Sequence, residues 1–315
     1  MMRALVTGSH GFVGCHLVAR LRAQDAEVWG VDCAIQAVTD AATTFVLGDI
    51  LDAAFLDGVL KQARPTHVFH VAGQVGSSES DREALFRANL DAAVSVAESM
   101  RRCAPGAWLL LASSSAVYGA SLVLPIGEDA PVRPTTAYGE SKAAAEDAVR
   151  RIAGDAGIRV VVARTFNLLG PAMSRRLFAG SLAAQIAAAE RGGDPQVKVG
   201  NLQGLRDYVD VRDAARAYVS LTACDAGTIN VCSGVAHSSQ ELADEMCRLA
   251  AVPVTLDHDG SRVQAGDVDE QRGTFRRLAE ATGWTPSIPF GQSVRDVLEH
   301  ERRAAASSAR GRGEA

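Results

Sequence analysis

Short apolar runs alternate with helical periodicity through the first half of the chain. Residues 4–7, 27–32, 44–47, 67–71, 107–111 and 159–163 are rich in Val, Leu and Phe, and each reads as a largely buried strand. Between them, apolar side chains return every three or four positions after Gly14, near 52–63, from Ser80-Asp81-Arg82-Glu83 through about Cys103, and from Tyr138 to about Gly154. Ser80 and Glu83 have capping-box spacing, as do Ser238 and Glu241 ahead of a later helix. Strands joined by whole helices predict a parallel sheet, because a parallel crossover needs about a helix of chain to return.

The rhythm breaks after Arg164. Pro171, the breaker Gly192-Gly193-Asp194-Pro195 and the short apolar segment 197–199 predict a second lobe built from later segments. The expected architecture is α/β: a Rossmann doubly wound parallel sheet with a smaller C-terminal α/β substrate lobe. Its boundaries are read as 1–165 for the nucleotide-binding domain, with a segment around 205–225 returning to it. Residues 166–204 and 226–302 form the substrate lobe, and 303–315, without apolar periodicity, a disordered tail.

The turn after the first strand is Gly8-Ser9-His10-Gly11-Phe12-Val13-Gly14, a G-x-x-G-x-x-G spacing that opens a helix. Gly8 permits the tight turn, Gly11 lets backbone approach a pyrophosphate, and Gly14 lets helix pack on strand, with Phe12 and Val13 in the first helical turn. The second strand ends in Asp32, near the spacing of about 20 residues expected for an acid that binds ribose hydroxyls. No Lys or Arg lies between Arg22 and Lys61 to meet a 2′-phosphate, so NAD(H) is favoured, with NADP(H) possible. Asp49 and Ile50 after the third strand are placed near the adenine, although Asp49 serves equally as a plain turn acid. Ala72 and Gly73 after the fourth strand are placed against the cofactor, and Gln74 against the substrate.

Composition narrows the partners. A net charge of −5 argues against nucleic acid, and no apolar run reaches membrane-spanning length. The first strand starts almost at Met1, leaving no leader pattern, so a cytoplasmic protein is expected. Six cysteines without C-x-x-C pairing and seven histidines without ligand spacing imply no metal, and His67 and His70 read as structural.

The chemistry is carried by Tyr138 and Lys142, four residues apart at a helix start and therefore on one face. A nearby ammonium stabilises a phenolate and moves the phenol toward a useful proton-transfer range, and Lys142 can also hold ribose hydroxyls. Ser114, at the end of the fifth strand, can hydrogen-bond the reacting oxygen. Ser113 and Ser115 also read as ordinary loop residues, with Ser115 a candidate substrate contact.

Taken in order, Gly8, Gly11, Gly14, Asp32, Ser114, Tyr138 and Lys142 resemble the extended short-chain dehydrogenase/reductase family, over nearly the whole chain. Ala72-Gly73-Gln74, Ala163-Arg164-Thr165-Phe166-Asn167, Gly170-Pro171, Val199-Gly200-Asn201-Leu202, Leu205-Arg206-Asp207-Tyr208-Val209-Asp210-Val211 and Asn230-Val231-Cys232-Ser233-Gly234 look like its GDP-6-deoxy-mannose (GDP-4-keto-6-deoxy-mannose) reductases. The resemblance implies that Asn167, Arg206 and Arg262 contact a sugar diphosphate. Arginines and an amide suit that group, although Arg206 with Asp207, and Arg262 near Asp267, also fit structural ion pairs. Two features depart from relatives. Ser115 and Ala116 stand where sugar-nucleotide dehydratases carry an acid, which disfavours elimination of water. Gln264 replaces a second arginine common in the reductases.

These features predict a nucleotide-sugar 4-ketoreductase acting on an NDP-4-keto-6-deoxyhexose. An NAD-dependent nucleotide-sugar 4-epimerase is the alternative, which Asp32 favours, and an NAD(H)-sensing binding protein is a third reading that the Ser-Tyr-Lys set opposes. By the same resemblance, the helices near 81–103 and 138–154 pair into a homodimer, and Ala143, Ala144, Ala145 and Val149 allow close approach.

Overall fold

The computed structural model describes residues 1–34, 43–76, 81–121, 123–224, 227–259 and 269–310. In chain order the first lobe runs through β1 (Arg3–Thr7), α1 (Phe12–Arg22), β2 (Glu27–Asp32), β3 (Thr44–Leu47), α2 (Ala53–Ala63), β4 (His67–His70), α3 (Arg82–Phe86) and α4 (Ala92–Cys103). It continues with β5 (Trp108–Ser114), a 3-10 turn (Ser115–Tyr118), α5 (Ala137–Ala156) and β6 (Val160–Thr165). A π-helical turn at Arg87–Asp91 joins α3 to α4, so the expected single helix is one path with a local bulge. Ser80 of the expected capping box lies outside the described residues. Asp52 instead caps α2, accepting the Ala54 and Phe55 N–H groups at 3.0 and 3.1 Å.

The second lobe holds β7 (Asn167–Leu169), α6 (Phe178–Ala189), β8 (Gln196–Val199) and β9 (Leu205–Asp210). Then come α7 (Val211–Ser220), β10 (Thr228–Val231), β11 (Ala236–Ser238), α8 (Ser239–Arg248), β12 (Thr255–His258), β13 (Glu270–Gln271), α9 (Arg276–Thr282) and α10 (Phe290–Arg310). The Ser238–Glu241 capping box forms as expected at α8. Among the described residues, no helix is long and apolar enough to cross a membrane.

Seven strands pair in the order β10-β6-β5-β4-β1-β2-β3, all parallel. The order reverses between β1 and β4, opening a crevice at the carboxyl ends of those strands. Alternate residues of β1 feed opposite faces: Ala4 and Val6 join one core with Leu17, Leu21 and Tyr218, while Leu5 joins the other with Leu60, Met100 and Val149. Each fully buried leucine contributes about 1.5–3 kcal/mol relative to exposure, so covering both faces is what makes the sheet stable. A third core, including Leu182, Ile186, Met246 and Leu298, holds α6, α8 and α10 together.

The structure moves three expected boundaries. β9 pairs with β7, β11 and β13 in a small sheet, although its Val209 joins α7 and Leu221 in the core of the nucleotide lobe. β10, expected in the substrate lobe, completes the large sheet beside β6, where Ile229 and Val231 become buried. Leu278 and Trp284 pack into the same core from beyond it. The expected tail at 303–315 continues α10 to Arg310. Arg302 ties that helix to Glu190 and pairs within it with Glu299, and the following alanines extend an existing helix at little further cost.

Candidate active site

Gly8 turns the chain at φ 72° directly after β1. A Cβ there would lie 2.7 Å from the Ala72 Cα, and a Cβ on Gly14 would lie 1.9 Å from the Gly8 carbonyl oxygen. The missing Cβ of Gly8 lets the turn approach the chain after β4, and that of Gly14 lets α1 pack on the turn itself. Gly11, the N-cap of α1, offers no side-chain acceptor to the first-turn N–H groups, an arrangement suited to a dinucleotide pyrophosphate. At the end of β2, Asp32 Oδ2 accepts the His10 N–H at 2.9 Å and Oδ1 accepts the Ala34 N–H at 3.4 Å. The carboxylate is held in place with lone pairs to spare for ribose hydroxyls. Asp49 Oδ1 accepts the Leu51 N–H at 2.9 Å, and Ser95 donates to the Ile50 carbonyl at 2.5 Å, which pins the turn expected under the adenine. These residues fit a nicotinamide dinucleotide.

Ser114 ends β5 and accepts the Ala116 N–H at 3.1 Å. Because its oxygen accepts that bond, its proton remains available for donation. Thr136 caps α5 by accepting the Gly139 N–H at 3.1 Å, which puts Tyr138 and Lys142 in its first turns. Burial raises the Tyr138 phenol above its usual value, and a hydrogen bond with Ser114 draws it back. The sequence assigned that tuning to Lys142. Here the Lys142 ammonium donates to the Ala112 carbonyl at 3.1 Å, and burial lowers its pKa to about 8 against the opposing charge of Glu146. A Cβ on Gly73 would stand 3.1 Å from Lys142 Nζ and 2.6 Å from Asn89 Oδ1, so the small residue after β4 admits both side chains. Expected cofactor and catalytic groups thus converge on one crevice.

Several supporting residues escaped the sequence reading. Asn89, in the π-helical turn, accepts the Gln74 N–H and donates to the Gln74 carbonyl, both at 3.0 Å, and also donates to Ser141 at 3.0 Å. It fixes the backbone of Gln74, whose side chain stays exposed beside the crevice. Below Tyr138 and Lys142, buried Glu146 accepts Arg164 at 2.7 and 3.0 Å and Ser113 at 2.6 Å. Glu146 lies one helical turn after Lys142 on the buried face, a position that helical spacing alone marks. His70 is structural, as expected: it pairs with Thr7 at 2.8 Å, and burial next to Lys142 lowers its pKa to about 3.

The substrate candidates divide. Ser115 is 2% exposed, and both its hydroxyl and its carbonyl bond Gln271 at 3.0 Å. It is therefore a lobe-to-lobe tie and not a free substrate contact. Asn167 pairs in register with Tyr208, and Arg206, two residues earlier on β9, shares that face. Asp207 points the other way, accepting N–H groups from Ser233, Gly234 and Gly273 at 2.7, 2.9 and 3.2 Å. The alternative Arg206–Asp207 ion pair is replaced by this backbone clamp. Asn230 is also structural, accepting the Tyr118 hydroxyl at 2.7 Å. Arg262 and Gln264 lie outside the described residues. Among the described residues, no group of three or more His, Cys, Asp or Glu could hold a metal ion.

Residues 4–232 match the model of the NAD dependent epimerase/dehydratase family. The GDP-6-deoxy-D-mannose reductase of Pseudomonas aeruginosa is 33% identical over 94% of this chain and 96% of its own. The structure of RMD from Pseudomonas aeruginosa complexed with NADPH superposes with a TM-score of 0.83 at 30% identity, covering 96% of this chain and 100% of that one. The Thermus thermophilus UDP-glucose 4-epimerase in complex with NAD has a TM-score of 0.84 at 28% identity, with 96% and 100% coverage.

Proposed function

The chain belongs to the NAD dependent epimerase/dehydratase family and is an NAD(P)-dependent oxidoreductase of the extended short-chain type; from that premise we propose that it is a nucleotide-sugar 4-ketoreductase. Its substrate is an NDP-4-keto-6-deoxyhexose, with GDP the favoured nucleotide. The observation that carries this reading is the placement of Ser114 at the end of β5 with Tyr138 and Lys142 one turn apart at the start of α5, Lys142 donating to the Ala112 carbonyl of β5. The 33% identity to a GDP-6-deoxy-D-mannose reductase supports the choice of substrate class.

When bound, the reduced nicotinamide supplies a hydride to the C4 carbonyl carbon. Ser114 donates a hydrogen bond to the carbonyl oxygen and stabilises charge as it develops. Tyr138 transfers its phenolic proton to that oxygen, completing the alcohol. An ordinary phenol is already protonated near neutrality, and the Ser114 hydroxyl opposes the rise that burial imposes, which favours proton donation. Lys142 holds its ammonium near the phenolate left behind and near the ribose. Asn167 and Arg206 orient the diphosphate from the second lobe. Ala116 places no carboxylic acid in the Ser115–Tyr118 turn, so the turn contributes no proton donor for dehydration.

Asp32 supports a preference for NADH, and the same feature favours a 4-epimerase that keeps its NAD. A panel of GDP-, dTDP-, UDP- and CDP-linked 4-keto-6-deoxy sugars with NADH and NADPH tests the reading. Stoichiometric oxidation of reduced cofactor supports a reductase, whereas tightly retained NAD that is never consumed replaces it by an epimerase. The half-buried faces of α4 and α5, including Val94, Ala143 and Ala144, support a homodimer that also steadies Tyr138 and Lys142. Sedimentation at micromolar concentration should give a dimer, and a fully active monomer would reject it.

A further inference from the structure

Gln271 sits on β13 in register with Arg206 of β9 and is 8% exposed. Its side chain leaves the substrate lobe and reaches the turn that follows the catalytic serine. Oε1 accepts the Ser115 hydroxyl at 3.0 Å, and Nε2 donates to the Ser115 carbonyl at 3.0 Å. That carbonyl belongs to the same planar peptide as the Ala116 N–H, the group that donates to Ser114 Oγ at 3.1 Å. Fixing one end of a planar peptide fixes the other. The direction of the N–H decides which Ser114 lone pair is occupied, and so where its proton can point.

The strand behind Gln271 is itself held from two sides. The Gly273 N–H donates to Asp207 at 3.2 Å, anchoring it to β9, while Ile126 and Arg272 join through an N–H···O bond of 2.8 Å. The Thr274 N–H returns to the Ile126 carbonyl at 3.0 Å. A continuous hydrogen-bonded path therefore links the strand carrying Arg206 to the hydroxyl of Ser114.

We propose that Gln271 is a positioning residue: through the Ser115–Ala116 peptide it holds the Ser114 hydroxyl in its donating orientation and ties that orientation to the Arg206-bearing strand. The proposal rests on Ser114 and Tyr138 being the reacting pair. It separates two contacts of one side chain. The bond to the Ser115 carbonyl sets the peptide, whereas the bond to the Ser115 hydroxyl adds only packing of the clasp.

Three variants test it. Gln271→Met removes both contacts, Gln271→Glu keeps the acceptor but sets an oxygen against the Ser115 carbonyl, and Ser115→Ala removes only the hydroxyl contact. Gln271→Met and Gln271→Glu should each lower kcat about tenfold, the rate equivalent of one net hydrogen bond. The KM for nucleotide sugar and the Kd for NADH should stay within about twofold. Ser115→Ala should lose no more than about threefold. Tyrosinate absorbance of the NAD complex, with Tyr138→Phe as the reference among four tyrosines, should show Tyr138 ionising at higher pH in both Gln271 variants. An unchanged Tyr138 titration and kcat in Gln271→Glu, whose shape matches the parent, overturns the proposal, as does a Ser115→Ala loss equal to that of Gln271→Met. A parent protein that turns over no nucleotide sugar rejects the reductase and epimerase readings instead, and the tyrosinate titration still decides the role of Gln271.

Discussion

Replacing Arg164 by Met isolates the ion pair beneath the catalytic helix. Glu146 is 1% exposed and accepts Arg164 at 2.7 and 3.0 Å, Ser113 at 2.6 Å and half-exposed Arg150 at 3.0 Å. Burial drives its carboxyl up, but hydrogen bonds and charge from Arg164, helped by Ser113 and Arg150, outweigh that and hold it below its usual value. Without Arg164, an ionised carboxylate stays in the interior with only Ser113 and a surface arginine. Breaking one side of a buried pair costs about 3–5 kcal/mol, a large share of a typical stability of about 5–15 kcal/mol. The urea midpoint at pH 7, followed by tryptophan fluorescence, should fall by about 1–2 M. Because the folded-state value is depressed in the parent, its contribution is present above the unfolded value of about 4.3 and lost as pH falls through the folded one. In the variant the uncompensated carboxyl moves upward, so its deficit should narrow between pH 7 and pH 5. Adding Glu146→Leu should recover part of the loss, since an apolar pair leaves no buried charge. An Arg164→Met protein as stable as the parent, or a double variant losing the sum of both single losses, would refute this account.

Tyr138→Phe should lower kcat by about a thousandfold or more while NADH binding changes less than about twofold, because the proton donor is lost and the ring is kept; near-normal turnover would remove Tyr138 from the reaction. Asp32→Ala should erase a preference for NADH over NADPH worth about 2 kcal/mol, read as the ratio of kcat/KM values, and a parent that prefers NADPH contradicts the role given to Asp32. His70, with its pKa lowered to about 3 by burial, is neutral when folded and protonates on unfolding below about pH 6.5. Its depressed value means stability is held above pH 6.5 and lost progressively as pH falls toward 3. The loss between pH 7 and pH 5 should therefore be about 2 kcal/mol smaller in His70→Asn, and equal pH dependence in the two proteins would sink the assignment.

Much of this molecule was legible because its signals are local. The strands of the large sheet up to β6, the glycine turn, Asp32 at its strand end and the Tyr138–Lys142 spacing all follow from a few neighbouring residues. Periodicity reports which faces are buried, and a missing Cβ reports where chains approach. The family resemblance rested on the same short motifs, and the match over residues 4–232 agrees with it.

What remained hidden depends on partners far apart in the chain. β10 is four residues long, and nothing within it says that it will border β6 and leave the lobe where it was expected. Ser115 reads in sequence as a loop residue or substrate contact, and Asp207 as an ion-pair partner for Arg206. Only the folded chain brings Gln271 to the first and the N–H groups of Ser233, Gly234 and Gly273 to the second. The same holds for the phenol. Spacing places Lys142 one turn from the phenol, and only the packing of β5 against α5 adds the burial and the Ser114 hydroxyl that also act on it. The sequence by itself determined most of the elements that form and marked the candidates for chemistry, since these follow from local sterics and hydrophobic period. Tertiary structure decided which polar groups stay open to a ligand, because desolvation and hydrogen-bond pairing are properties of neighbours in space.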